Sequence, residues 1–324
     1  TDGKLWGWGS NEYGQLGSGS RSSETCTRGD VVFSCSTVPR QIGKGFTSIA
    51  AGGYHSLAIK FDSSVSAWGG KAWAGVVVAR VAVSVPNQIA TGYSAVSASY
   101  MNSSLGIKAD GSLWNLDDPS GVPETKVIDG RFTAVSAGVD HSFALKADGT
   151  LWGWGENGNG QLGDNASTYT ATPKTVGTGF TSAAAGAYVS LGVKSDGSLW
   201  RWGADGDFSV PTRIGAGFRT VAAGWDHFLA IKTDNTLWGW GSFQQGQLGD
   251  GTTTYSPQPI QIGSGYVAIA AGVSFSLALK SDGSLWAWGI NAHAQLGVTS
   301  SDQCTYSDQS VPCSLSPKLV GNDF

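Results

Sequence analysis

Few residues in this chain of 324 have the chemistry to catalyse: four histidines, four cysteines and scattered carboxylates. His55, His141 and His227 open the same phrase in three places, as in His55-Ser-Leu-Ala-Ile-Lys60, and Asp140 and Asp226 stand just before two of them. A carboxylate orienting an imidazole beside a serine is the skeleton of a hydrolytic relay. Ser56 and Ser142 do follow two of the histidines, but they fall inside strand-like runs. Val189 and Phe275 hold the histidine's place in two further copies. A position filled by His, Val or Phe is a packing position, so these imidazoles read as buried, hydrogen-bonded rings. His293 stands alone in a loop. Gly153-Trp-Gly155-Glu-Asn-Gly158 has the spacing of a dinucleotide fingerprint, but that motif needs a following helix to meet the pyrophosphate, and Gly-Gln-Leu-Gly follows here. The expectation is a protein that is not an enzyme and uses no metal or cofactor.

The cysteines fall as Cys26/Cys35 and Cys304/Cys313, two pairs with one spacing, each in a polar insertion at about 18–38 or about 298–316. A zinc site would need four converging ligands, usually from shorter pairs. Two local disulfides clipping long loops are expected instead, with buried free thiols as the alternative. Disulfides would place the chain in an oxidising compartment, extracellular or on the cell surface. Asn102-Ser-Ser and Asn165-Ala-Ser permit glycosylation.

Charged residues are only 14% and the formal net charge is −4, with no cluster of Lys and Arg, which argues against nucleic acid as a partner. The most apolar stretch, Val76 to Val83, is too short to cross a membrane and contains Arg80. A start at Thr1-Asp-Gly reads as processed or truncated. With 48 glycines and no Gly-X-Y period, the composition suits short strands joined by tight turns.

The elements that would position these residues repeat. Leu151-Trp-Gly-Trp-Gly-Glu-Asn-Gly-Asn-Gly-Gln-Leu-Gly163 returns at Leu5, Leu237 and Leu285, and looser openings begin at Val65, Leu113 and Leu199. Within each unit the alternation Leu-Trp-Gly-Trp-Gly reads as a strand, as do the segment ending Pro-x-x-Ile/Val-Gly, the phrase Thr-Ser-Ile-Ala-Ala-Gly52 and the His-Ser-Leu-Ala phrase. An Asp-Gly, as at Asp148-Gly149, then returns the chain, and a type I′ hairpin turn is expected there. Seven openings with four strands each predict an all-β, seven-bladed β-propeller of four-stranded blades, one domain over 1–324; a stacked solenoid is the alternative. The paired tryptophans, such as Trp6/Trp8 and Trp238/Trp240, read as blade core.

Trp-Gly-Trp-Gly-x-Asn-x-x-Gly-Gln-Leu-Gly followed by Ala-Ala-Gly-x-x-His-Ser-Leu-Ala resembles the regulator of chromosome condensation repeat over nearly the whole chain. The resemblance implies a seven-bladed propeller. The unit at 65–112 departs most, with Ala74-Gly-Val-Val-Val-Ala in place of Gly-Gln-Leu-Gly. Only six Ala-Gly…Leu-Ala-Ile-Lys phrases accompany the seven openings, so one blade is expected to be incomplete, by roughly 18 residues. A neighbouring subunit could supply the missing segment, because an open edge exposes unpaired backbone.

Variable loop side chains on a constant scaffold suit a binding face. Tyr54, Trp225 and their counterparts in the inner turns form one candidate ring, with Trp73 outside the tryptophan pattern. Tyr13, Phe243, Gln244 and His293, read as equivalent positions of the long loops, form a second. The expected function is a secreted or cell-surface scaffold that binds a protein or surface ligand. One alternative is a structural subunit of an extracellular assembly. The other, which the resemblance implies for eukaryotic members, is a nucleotide-exchange regulator of a small GTPase that also binds chromatin; secreted bacterial members include an inhibitor of beta-lactamases.

Overall fold

The computed structural model describes every residue except 1, 20–23, 29, 71, 74–75, 78–82, 101–103, 117–123, 205–208, 242–243, 307 and 323. The described residues form strands and turns arranged as a seven-bladed propeller of antiparallel sheets. Blade 3 is typical: its strands Phe132–Ala137, His141–Lys146, Leu151–Gly155 and Thr170–Gly177 pair in chain order from the axis outward. Blades 1, 2, 4 and 5 open at Phe46, Tyr93, Phe180 and Phe218 with the same four-stranded order. Each blade thus begins two strands before the Leu-Trp phrase, so one sequence unit supplies the outer half of one blade and the inner half of the next.

Alternation along the third strand explains the packing. In blade 3 Trp152 and Trp154 lie against residues that include Ile107 and Leu113 of blade 2, while Leu151, on the other face, meets Phe180 and Trp202 of blade 4. The glycines leave room for those rings: a Cβ at Gly163 would collide with Trp202, and one at Gly192 with Phe180. The hydrophobic cores therefore lie mainly between blades. Trp202, Trp240 and Trp288 are fully buried there, and truncating rings of this kind costs on the order of 3–5 kcal/mol each.

The turns differ from the expected type. Gly149 takes φ 81°, but Asp148 does not have a positive φ. The amide of Gly149 donates to Lys146 and that of Lys146 to Thr150, a type I turn closed by a left-handed residue rather than a type I′ turn. Ser63 and Asn235, at φ 64°, fill that place in two blades. The aspartate's part is side-chain capping, Asp148 accepting the amide of Thr150 at 2.9 Å.

Blades 6 and 7 carry the cysteines. Each has a fourth strand lengthened to 13 residues, Gln309–Gly321 and Val31–Gly43, which folds back against Asp302–Tyr306 or Thr25–Arg28. The disulfides Cys304–Cys313 and Cys26–Cys35 close these hairpins, with Cα atoms 5.8 Å apart in both. Blade 7 is the incomplete one: Leu5–Ser10 pairs outward with Val31–Gly43, and among the described residues no strand pairs with its inner edge. Phe324 packs on Trp6 and Trp8, as Phe132 packs on Trp152 in blade 3.

Candidate functional site

The long-loop motif is a device for joining blades. In blade 3, Asn157 Oδ1 accepts the amide of Leu162 and Gln161 Oε1 that of Asn159, both at 2.9 Å, which fixes the loop. The backbone carbonyl of Gln161 then accepts the indole N–H of Trp202 at 2.9 Å and the hydroxyl of Ser190 at 2.7 Å, both from blade 4. Ser190 in turn faces Nε2 of His141 at 2.8 Å. His227 with Ser276 and Gln247 repeats the arrangement, and His55 lies 2.8 Å from Ser104. Because Ser190 spends its proton on a carbonyl, Nε2 of His141 is the donor. His141, Ser190, His227 and Ser276 are all buried, so these two His-Ser pairs brace neighbouring blades. The ring closes the same way at blade 7, where Trp8 donates to Gln295 at 3.0 Å and Trp68 to Gln15 at 2.8 Å.

The turns between first and second strands form a collar around the axis. They touch so closely that a Cβ at Gly138, Gly186 or Gly224 would run into the carbonyl of the next blade's turn, which is the reason for glycine in Ala-Ala-Gly. Of the residues that follow, Ala187 is buried, Val139 and Trp225 are half-buried, and Asp140, Tyr188 and Asp226 are exposed. Counted from the histidine place, Tyr54, Asp140, Tyr188 and Asp226 are equivalent, whereas Trp225 aligns with Gly53; the expected match of Trp225 with Tyr54 is one residue out of register.

The aromatic residues here meet one another. Tyr13 packs edge-on to Tyr54 with centroids 5.3 Å apart, Tyr54 lies 6.1 Å from Tyr100, Tyr100 is 5.4 Å from Trp225, and Trp225 is 6.4 Å from Tyr188. Tyr100 belongs to blade 2 and Trp225 to blade 5, so the contact spans the axis and the rings form a bar across the mouth. Burial, then the neighbouring Tyr54, push the Tyr100 phenol above its ordinary pKa. Tyr188 is 45% exposed at the end of the bar. Asp226, exposed at its tip, is nonetheless desolvated enough to raise its carboxyl above the usual range. Glu156 joins Asp140, its amide donating to the Asp140 carbonyl at 2.9 Å.

The opposite end is chemically different. Lys146, Lys194, Lys232 and Lys280 there lie 3.9–4.6 Å above Trp152, Trp200, Trp238 and Trp286. The turn aspartates beside them are held below their ordinary pKa by the serine or threonine hydroxyl two residues on. At that end the lysines are thus seated on rings and the aspartates bonded within their own turns.

The structure unites Tyr13, Tyr54 and Trp225 of the predicted binding residues and adds Tyr100 and Tyr188, which the sequence reading missed; Tyr188 was detectable as the counterpart of Tyr54. The second predicted ring does not form as expected. The residue equivalent to Tyr13 and His293 is Gln245, whose amide meets Gln247 Oε1 as theirs meet Gln15 and Gln295. Gln244 is an exposed turn residue one place earlier, Phe243 lies outside the described residues, and of Trp73 only the backbone is described, paired with Val76. Gln245 is buried and donates to Thr305 of the blade 6 hairpin at 3.2 Å. His293 packs on Phe33 and meets Arg28 of the blade 7 hairpin at 2.5 Å, burial and then Arg28 lowering its pKa. Each cysteine hairpin therefore leans over the long loop of the preceding blade.

Among the described residues no helix is long and apolar enough to cross a membrane. Among solved structures, human WBSCR16 is similar at 18% identity and TM-score 0.79, over 98% of this chain and 94% of that one. Prp20p of Saccharomyces cerevisiae, a protein described with binding properties to Gsp1p and histones, is also 18% identical, with TM-score 0.80 over 99% and 87%. Such likenesses establish the fold. The sequence itself matches two family models described as Regulator of chromosome condensation (RCC1) repeat, one over residues 2–59, 148–193 and 234–279, the other over 132–161, 218–247 and 266–295. Those segments take in more than half of the sequence, and the chain belongs to the regulator of chromosome condensation repeat family.

Proposed function

We propose that this chain is an extracellular or cell-surface scaffold that binds a protein partner through the aromatic bar at the channel mouth, without catalysing a reaction. The carrying observation is the contact of Tyr100 with Trp225 across the axis. It assembles rings from blades far apart in sequence into one partly exposed patch, the composition found at interface hot spots. The two disulfides support the compartment. Burial of the His-Ser pairs supports binding over catalysis.

The test places a photo-crosslinking amino acid at Tyr188, and separately at Lys232 on the opposite end, in the organism that makes the protein. A discrete crosslinked species from position 188 only, lost in the Tyr100→Ala/Trp225→Ala variant, is expected. Equal crosslinking from both ends overturns the face. Reduced, cytosolic thiols in situ overturn the compartment and favour the exchange-factor alternative, which the likeness to a Gsp1p-binding protein also supports.

The inner edge of Leu5–Ser10, with which no strand pairs among the described residues, favours a second reading, a subunit that associates by completing blade 7. Light scattering across a concentration series decides it: association would be expected, and a mass that stays monomeric removes it.

A further inference from the structure

We infer that the aromatic bar takes a lysine- or arginine-bearing loop of its protein partner, the cation seated between ring faces and the carboxylates of Asp140 and Asp226. This rests on the binding face proposed above and names the chemistry it recognises. In blades 1, 3, 4 and 5 the residue preceding the histidine place reads Tyr54, Asp140, Tyr188 and Asp226, while blade 6 has Ser274, so one position of the repeat supplies two rings and two carboxylates. The backbone brings them close: the amide of Val139 donates to Gly186 at 3.2 Å, which sets the Asp140 turn against the turn that carries Tyr188, and Asp226 directly follows Trp225.

Partner classes differ in what docking would do to these carboxylates. A wholly apolar surface would strip water from Asp140 and Asp226 and return no counter-charge, an unfavourable exchange. An acidic surface would add repulsion to a chain that already carries a formal net charge of −4. A cation supplies both needs, stacking on electron-rich ring faces and pairing with carboxylates. A guanidinium does so best, because its planar fork meets a carboxylate bidentately while its face lies on a ring. Asp226, already partly desolvated, gains most from such a partner. The chain uses the same pairing on itself at the far end, where Lys232 sits 3.9 Å over Trp238 beside the Asp234 turn.

The probe is a dye-labelled peptide of alternating glycine and arginine, compared with its glycine–glutamate and glycine–serine counterparts by fluorescence anisotropy at low and high salt. The arginine peptide is expected to bind, to weaken with salt, and to lose about tenfold in affinity or more with Asp140→Asn/Asp226→Asn. The variant Asp148→Asn/Asp234→Asn, on the lysine end, should leave binding unchanged. Isosteric amides keep the fold, which circular dichroism verifies. An arginine peptide that binds no better than the serine peptide overturns the inference, as does equal loss in the two variants. If crosslinking at position 188 still succeeds while the arginine peptide fails, the binding face stands and its cationic preference falls.

Discussion

Single side chains in this protein are fixed by what the neighbouring blade offers them. His141 could have been a catalytic base, yet it faces a buried serine whose proton is committed to the Gln161 carbonyl. Burial holds His141 at a pKa of about 3 and His227 at about 4, against an ordinary 6.5. The unfolded chain therefore binds protons that the folded chain refuses once the pH drops below 6.5. Their contribution is complete above that value and is lost as the pH falls toward the folded values, by up to about 1.4 kcal/mol per pH unit for each histidine. The turn aspartates act in the same direction, but only near and below their ordinary 3.8. Urea midpoints measured from neutral pH to just above 4 should fall, and His141→Val/His227→Val should flatten the profile. Valine fits because Val189 holds this place in blade 4. An unchanged slope would mean that other groups titrate.

At the scale of elements, the cysteine hairpins are additions to blades 6 and 7 that cover a neighbour. Crosslinking loops of nine-residue separation is worth about 2–3 kcal/mol in unfolded-state entropy, and each hairpin lies outside the blade-to-blade cores. The pair Cys304→Ser/Cys313→Ser should therefore loosen residues 302–313 locally. Amide exchange is expected to speed up there and at Gln245, whose buried amide bonds Gln247 Oε1 and whose side-chain Nε2 donates to Thr305 of the hairpin, while the third strand of blade 3 keeps its protection. Global unfolding without a local opening would contradict this. The hairpins also show what spacing alone can say: two cysteines nine apart in a polar insertion were enough to pair them, because closure is local. Which loop each hairpin covers depends on the blade before it, so the covering of Gln245 and His293 was not legible.

At the scale of the whole molecule, six blades present complete inner pairs and blade 7 does not. Among the described residues, no strand pairs with the inner edge of Leu5–Ser10 as His141–Lys146 pairs with Leu151–Gly155 in blade 3. Protection from exchange follows buried hydrogen bonding. Amides of Leu5–Ser10 should exchange faster than those of Leu151–Gly155, and equal protection would require a partner strand on that edge. The repeat determined the blade number, the four strands of a unit and the incomplete blade. These follow from alternation and turn residues within a unit and from counting units along the chain, whereas the offset of each blade from its sequence unit appears only in the sheet pairing. The Asp-Gly turns were placed but mistyped, since glycine's φ is legible while the aspartate's capping role depends on the folded turn. The aromatic bar was only half visible. Tyr54 and Trp225 stood in the right turns, but the meeting of Tyr100 with Trp225 is set by closure of the ring, which brings opposite blades to one axis and has no signature in the spacing of either turn.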